Sequence, residues 1–111
     1  MDVSKLAHIL TIDIYKITKK FPKVEIYTLA SQMRRAASSI PMNLVEGAAR
    51  NSRAEYRRFA CIAKGSVGEI SYQVLLSQDL EYIDTNTSKR LSDCYNRVGK
   101  MLTRLIQSPE S

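Results

Sequence analysis

The feature that most restricts the fold of this chain is the segment at residues 31–50, SQMRRAASSIPMNLVEGAAR, which combines helical periodicity with an internal proline. At the helical spacing of about 100° per residue, one face of this segment and the residues just before it is apolar or small throughout. That face comprises Ile26, Leu29, Met33, Ala36, Ala37, Ile40, Leu44 and Gly47. A proline inside a helix costs about 3 kcal/mol. We therefore predict a long amphipathic helix bent at Pro41.

Similar periodicity predicts three further helices and no strand. The Phe21-Pro22 step separates the first two helices, and the capping-box pattern that starts at Ser52 introduces the third. The predicted helices cover residues 3–20, 23–49 and 53–82, and a fourth follows a cap at Asp84 or Thr85 and ends at Ser108-Pro109.

Short connections between these helices favour antiparallel neighbours. The chain has 111 residues, 44% of them hydrophobic and 25% charged, which suits one ordinary globular core. We predict a single domain over residues 1–111. Its fold class is all-α, an antiparallel up-down-up-down four-helix bundle with helix two bent at Pro41.

The N-terminal residues do not match a signal peptide, and no apolar run reaches the roughly 20 residues that span a bilayer. We expect a cytoplasmic protein with no membrane association. Cys61 and Cys94 lack the spacing of a metal site, and the lone His8 cannot complete one. We expect both cysteines to be buried and reduced, with no metal, no cofactor and no catalytic residue.

Several charged residues interrupt the predicted apolar faces. Asp13 lies in the inner stripe of the first helix, and a carboxylate there needs a partner, for which Arg35 and Arg50 are candidates. Two interpretations remain: a carboxylate site for metal or acid–base chemistry, or an ion-pair network that fixes helix register. We favour the second, because no histidine ligand or nucleophile accompanies the acids. The predicted structural network comprises Asp13, Arg35, Asn43, Glu46 and Glu69.

Some apolar residues lie outside the predicted core faces. Single exposed apolar residues are common, but several on successive helices indicate a contiguous patch and hence a subunit interface. The predicted oligomer interface comprises Pro41, Met42 and Val45 on helix two with Tyr72 and Leu75 on helix three.

The chain carries a net charge of +6, and the excess of basic residues is uneven. Ridges of positive charge along helices suit phosphate backbones whatever the base sequence. The alternative is a merely solvated helix flank. The predicted nucleic-acid-binding residues are Arg34, Arg50, Arg53, Arg57, Lys64, Arg90, Arg97, Lys100 and Arg104.

Several segments together resemble the four-helix-bundle proteins encoded in intervening sequences of bacterial 23S rRNA genes. Thr28, Ala30 and Met42 depart from residues that are usual in that family. The segments that carry the resemblance are FPKVEIY at 21–27, QMRRAASSIP at 32–41, NLVEG at 43–47, AKGS at 63–66 and LEYI at 80–83.

The resemblance implies a bundle similar to the accessory protein of diversity-generating retroelements, which assembles as a homopentameric barrel with a basic surface and works with nucleic acid. It implies no enzymatic activity, and it favours RNA over DNA as the partner. Two hypotheses follow: a non-catalytic, oligomeric nucleic-acid-binding protein, or an interaction scaffold that docks a partner protein while its charge is incidental. An enzyme is a distant third.

Overall fold

The structure, a computed structural model, describes residues 1–108 and contains four long helices joined by short connections. The helices are α1 (Val3–Thr18), α2 (Leu29–Ala49), α3 (Arg53–Asp79) and α4 (Thr85–Gln107), with a 3-10 turn at Lys23–Glu25 before α2. The described residues contain no strand. The prediction of an all-α four-helix bundle is confirmed, and the predicted stop at Pro109 lies outside the described residues.

Polar side chains define where three of the helices begin. Asp2, Ser52 and Asp84 precede α1, α3 and α4, and each side chain accepts a hydrogen bond from the backbone N–H three residues further on. Such caps satisfy amide donors that the first helical turn leaves without a partner. The predicted capping role of Ser52 is confirmed, and Asp84 rather than Thr85 caps the last helix.

The start of α2 differs from the prediction, since the helix begins at Leu29 and not at residue 23. The Glu25 carboxylate accepts hydrogen bonds from the Thr28 hydroxyl and from the backbone N–H of Leu29. These bonds hold the preceding residues in a separate turn. Ile26, which the helical stripe placed in the core, is consequently exposed.

The ends of α1 and α3 also come earlier than predicted. α1 ends at Thr18, whose hydroxyl donates to the Ile14 carbonyl. α3 ends at Asp79 because Glu81 adopts a left-handed φ of 65°, and the backbone N–H of the next residue turns back to the carbonyl of Ser77. That is the hydrogen-bonding pattern of a Schellman helix stop.

The core lies along the bundle axis and takes its side chains from all four helices. The largest of its fully buried side chains are Leu10 and Ile14 of α1, Met33, Ile40 and Leu44 of α2, Ile70 and Val74 of α3, and Leu91, Tyr95, Val98 and Leu102 of α4. These residues recur every three or four positions, as one face of a helix requires. On α4 the fully buried seam of Leu91, Tyr95, Val98 and Leu102 continues with Leu105, which is partly buried.

Contacts between consecutive helices pair an early residue of one with a late residue of the next. Thr11 of α1 reaches Ala37 of α2, whereas Thr18 reaches the earlier Arg34. Between α2 and α3, Ser39 contacts Ser66, and the earlier Met33 contacts the later Ser77. Helix α2 thus runs in the direction opposite to both α1 and α3. The molecule measures 44 × 24 × 19 Å along its principal axes.

Pro41 lies inside an unbroken α2, and a residue of α1 accommodates it. A proline has no N–H, so the carbonyl four residues earlier, that of Ala37, loses its helical partner. The Thr11 hydroxyl, buried between α1 and α2, lies 3.2 Å from that carbonyl oxygen and 2.8 Å from the carbonyl oxygen of Ala7. The bend at Pro41 stays a prediction.

Candidate functional site

A groove between α3 and α4 collects positively charged side chains and has a volume of about 480 Å³. Lys64 lies on its α3 wall, and Lys100 and Arg104 lie one helical turn apart on its α4 wall. The remaining lining residues are Val67, Tyr95, Asn96, Gly99 and Thr103. We call this surface the basic groove.

The core packing of the two helices fixes the position of these cations. Ala63 on α3 and Val98 and Leu102 on α4 are fully buried, which turns the neighbouring Lys64 and Lys100 outward. The helices approach closely at Gly99, where an added Cβ would lie 3.6 Å from a methyl group of Val67. The floor of the groove is therefore narrow and apolar, and its walls carry the charge.

Among the residues that the structure describes, no acidic side chain lines the basic groove. Within residues 1–108, Lys64, Lys100 and Arg104 have no carboxylate within ion-pairing distance, and Arg97 of α4 likewise has none. All four side chains are exposed, as is Arg53 at the start of α3. These five of the predicted nucleic-acid-binding residues are therefore accessible to a ligand.

Arg34 has a different role from the predicted one, because its side chain connects α2 to the end of α1. Its Nε donates to the Thr18 hydroxyl at 2.8 Å, and a terminal nitrogen donates to the Tyr15 carbonyl at 3.2 Å. Its guanidinium also lies 4.8 Å from the centre of the Tyr15 ring. A cation near a helix C-terminus satisfies free carbonyl groups and favours the helix dipole. We assign Arg34 a bracing role.

Arg57 and Arg50 also contact protein groups. A terminal nitrogen of the half-buried Arg57 donates to the Ser108 carbonyl at 2.9 Å and so ties the start of α3 to the end of α4. Arg50 pairs with Glu46 at 3.1 Å, and its guanidinium lies over the Phe59 ring at 5.2 Å. Because their guanidinium groups already contact protein groups, these two arginines are less available to a ligand than the sequence predicts.

The predicted polar network does not form one cluster. Asp13 pairs with Arg90 of α4, and not with Arg35 or Arg50. Arg35 and Glu69 are exposed, whereas the Asn43 amide donates to the Ser39 carbonyl at 2.7 Å within α2. Spacing along the sequence could not reveal the Asp13–Arg90 pair, because it joins the first helix to the last. Arg90 thereby also becomes an interhelical contact.

The predicted interface residues lie on two surfaces. Met42 and Val45 are 65% and 66% exposed. With Pro41 they line an apolar groove of about 690 Å³ between α2 and α1, whose wall on α1 includes His8 and Thr11. We call this surface the apolar groove.

Tyr72 and Leu75 are exposed on α3. Leu75 follows Lys64 by about three helical turns and so shares the flank that faces α4. The two apolar surfaces therefore lie on different sides of the bundle.

The residues that carry reactive groups are scattered. In the described part of the chain, no three His, Cys, Asp or Glu side chains come together as a metal site. Both cysteines are free, and Cys61 is exposed, contrary to the expectation that both are buried. Burial raises the pKa of the Tyr95 phenol well above its usual range. No helix formed by the described residues has the length and apolarity to span a membrane.

Fold and groove together define a class of protein, the small helical bundle with a cationic groove between two of its helices. The chain belongs to the family of 23S rRNA-intervening sequence proteins, whose sequence profile matches residues 1–104. It is also similar in fold to a crystal structure from Bacteroides thetaiotaomicron, described as a protein of unknown function from the S23 ribosomal protein family. The two share 21% identity with a TM-score of 0.88, over 96% of this chain and 99% of the other. A search of curated proteins finds no match.

Proposed function

We propose that this protein is a non-catalytic, oligomeric nucleic-acid-binding protein of the cytoplasm, and that its partner is RNA. The basic groove is the single observation that carries the proposal. It places three exposed cations around one concave surface that no acidic residue of the described part of the chain lines. A phosphate backbone is the common biological ligand that such a surface favours, since each neutralised phosphate releases bound counterions.

The preference for RNA rests on the family, whose name refers to intervening sequences of 23S rRNA. The groove itself recognises phosphate and carries no base-reading pattern. Contacts to phosphate position a nucleic acid and supply affinity. We therefore expect affinity for RNA with little dependence on the base sequence.

A charge-matched pair of variants tests the groove. In the first, Lys64, Lys100 and Arg104 are each changed to Gln. In the control, three exposed cations on the helices that do not line the groove are changed to Gln: Lys5 and Lys16 of α1 and Arg35 of α2. Each variant has a net charge of +6 − 3 = +3, so long-range attraction falls equally in both.

We expect the groove variant to lose RNA affinity at least about tenfold more than the control, because local phosphate contacts are lost only in the first. The measurement is fluorescence anisotropy of a labelled structured RNA at moderate salt. An equal loss of RNA affinity in the two variants would show that the groove contributes no more to binding than any other charged surface.

Self-association is part of the proposal, and a pentamer is the form that the family resemblance implies. The exposed Met42 and Val45 of the apolar groove support a contact between copies, since large exposed apolar patches mark interaction surfaces. Val45→Lys should reduce the assembly to smaller species in light scattering, whereas Val24→Lys, at an even more exposed valine of the α1–α2 loop, should leave it intact. An unchanged mass in Val45→Lys would exclude this surface as the interface.

The second candidate function is a scaffold that docks a partner protein, and the same apolar groove favours it. On this alternative, the partner is retained after nuclease treatment and is indifferent to the groove substitutions. Loss of the partner on nuclease treatment would instead support the first function.

A further inference from the structure

The connection between α1 and α2 turns its apolar side chains into solvent. Val24, Ile26 and Tyr27 are 79%, 49% and 92% exposed, and Tyr27 is thus almost entirely free of protein contact. The residues on either side, Phe21 and Leu29, are buried in the core. We call the three exposed residues the loop tip. Phe21 and Leu29 therefore anchor the loop in the core, whereas the loop tip contributes nothing to the core.

Side-chain contacts within the loop and with Tyr82, which lies between α3 and α4, hold the loop in place. The Glu25 carboxylate accepts a hydrogen bond of 2.7 Å from the Tyr82 hydroxyl, and it also accepts one from the Thr28 hydroxyl. The Phe21 ring packs against the Tyr82 ring with a centroid distance of 5.1 Å. The loop tip is thus presented on a fixed scaffold, which lowers the entropy that a ligand would have to remove on binding.

Three lysines adjoin the loop tip in the sequence. Lys19, Lys20 and Lys23 are exposed beside it, and within residues 1–108 none of them has a carboxylate at ion-pairing distance. The acid of the loop, Glu25, directs its carboxylate to Tyr82 and Thr28. The surface therefore joins one accessible aromatic ring and two aliphatic side chains to three unpaired cations.

A strand of unpaired nucleotides complements this combination. Its bases offer apolar faces that stack on aromatic side chains, and its phosphates attract the cations. A duplex hides those faces between base pairs and presents only its charged exterior. We infer that the loop tip is a stacking site for unpaired bases of single-stranded RNA, with Tyr27 as the platform and the three lysines as phosphate contacts. This inference rests on the proposed function.

The loop tip and the basic groove lie toward opposite ends of the bundle. Glu25 contacts Tyr82, which lies in the connection just before α4, whereas Lys100 and Arg104 occupy the last turns of that helix. At 1.5 Å per residue, the rise from Thr85 to Lys100 is about 22 Å. The loop tip is therefore a second contact, separate from the groove, and substitutions can test each surface independently.

The test compares Tyr27→Ala, which removes the exposed ring, with Tyr27→Phe, which keeps it. Fluorescence anisotropy is measured with a labelled oligouridine strand and with a blunt RNA duplex of the same length. Circular dichroism melts show whether each variant folds as the parent does. Tyr27 is almost fully exposed, so its removal should leave the melt unchanged.

We expect Tyr27→Ala to weaken binding of the single strand about tenfold or more, the effect of losing one stacked base. Tyr27→Phe should bind within about twofold of the parent, and both variants should bind the duplex as the parent does. The salt dependence of Tyr27→Ala should match that of the parent, since no charge is lost.

Three results would overturn the inference, and they differ from one another. If Tyr27→Ala binds the single strand as tightly as the parent while the groove variant does not, the loop tip fails and the proposed function stands. If the parent binds neither RNA, the proposed function fails and the inference with it. If Tyr27→Ala binds both RNAs as the parent does but loses sedimentation with phosphatidylserine vesicles, measured on the same proteins, the loop tip belongs to a membrane surface.

Discussion

At the scale of single residues, the structure explains how α2 tolerates a proline in its middle. The Ala37 carbonyl lacks its helical donor because Pro41 has no N–H, and the Thr11 hydroxyl of α1 compensates in part, since it shares its one proton between the Ala7 and Ala37 carbonyls at 2.8 and 3.2 Å. The proline and the threonine therefore form a matched pair across the α1–α2 interface. The sequence placed Pro41 in the helix but gave no sign of its partner, since the two residues lie on different helices.

This pairing predicts a specific coupling. Thr11→Val should lower the free energy of unfolding by about 1–3 kcal/mol, the cost of leaving a buried carbonyl without a donor. In a Pro41→Ala background the new N–H can bond to Ala37, and the same threonine change should then cost about 1 kcal/mol less. Urea denaturation of the four proteins measures both quantities. An equal cost of Thr11→Val in the two backgrounds would contradict the pairing.

A second residue-scale prediction concerns two glycines in helix interiors. An added Cβ at Gly47 would lie 2.8 Å from the Phe59 Cβ, whereas at Gly65 it would meet no atom within 4 Å. Gly47→Ala should therefore destabilise the protein by about 1 kcal/mol, because overpacking outweighs the better helix propensity. Gly65→Ala should stabilise it by up to about 1 kcal/mol. Thermal melts compare the two, and a gain in both would show that α2 and α3 do not touch at Gly47.

At the scale of the elements, the ionisable side chain of Glu25 holds the α1–α2 loop in place. Hydrogen bonds from Thr28 and Tyr82 lower the pKa of Glu25, and the same contact raises the pKa of Tyr82. A carboxyl group whose pKa is lower in the folded state stabilises it above the unfolded-state pKa of about 4.3. That contribution is lost as the pH falls through the lower, folded-state value.

Glu25→Gln should consequently destabilise the protein near neutral pH, and its difference from the parent should shrink below about pH 4. Denaturant titrations at a series of pH values measure this difference. The exposed Glu69→Gln is the control, and its difference from the parent should stay small throughout. A difference for Glu25→Gln that is constant from neutral to acid pH would show that the carboxylate does not hold the loop.

The elements also show which parts of the fold the sequence could predict. Burial of Met33, Ile40 and Leu44 follows from spacing within one helix, which any amphipathic segment reveals. The exposure of Ile26 does not follow from spacing, because it depends on where α2 begins. That boundary is set by Glu25, whose partner Tyr82 lies 57 residues further along the sequence.

At the scale of the whole molecule, the sequence identified the basic residues but not their roles. Lys64, Lys100 and Arg104 meet at one groove, whereas Arg34 and Arg90 connect helices. These roles differ because each depends on the rotation of a helix about its own axis and on which helices lie next to it. Neither property can be read from the pattern of charges along the sequence. The groove is thus a property of the assembled bundle, and so is the separation of the two apolar surfaces.

The measurement that tests the central claim most directly is the salt dependence of RNA binding by the parent protein and by the variant with Lys64, Lys100 and Arg104 changed to Gln. The logarithm of the binding constant should fall linearly with the logarithm of salt concentration, and the variant should show a shallower slope. Three lost phosphate contacts correspond to a slope smaller by about 2 on a single strand and by about 3 on a duplex. Equal slopes for the two proteins would contradict the assignment of the groove as the phosphate-binding surface.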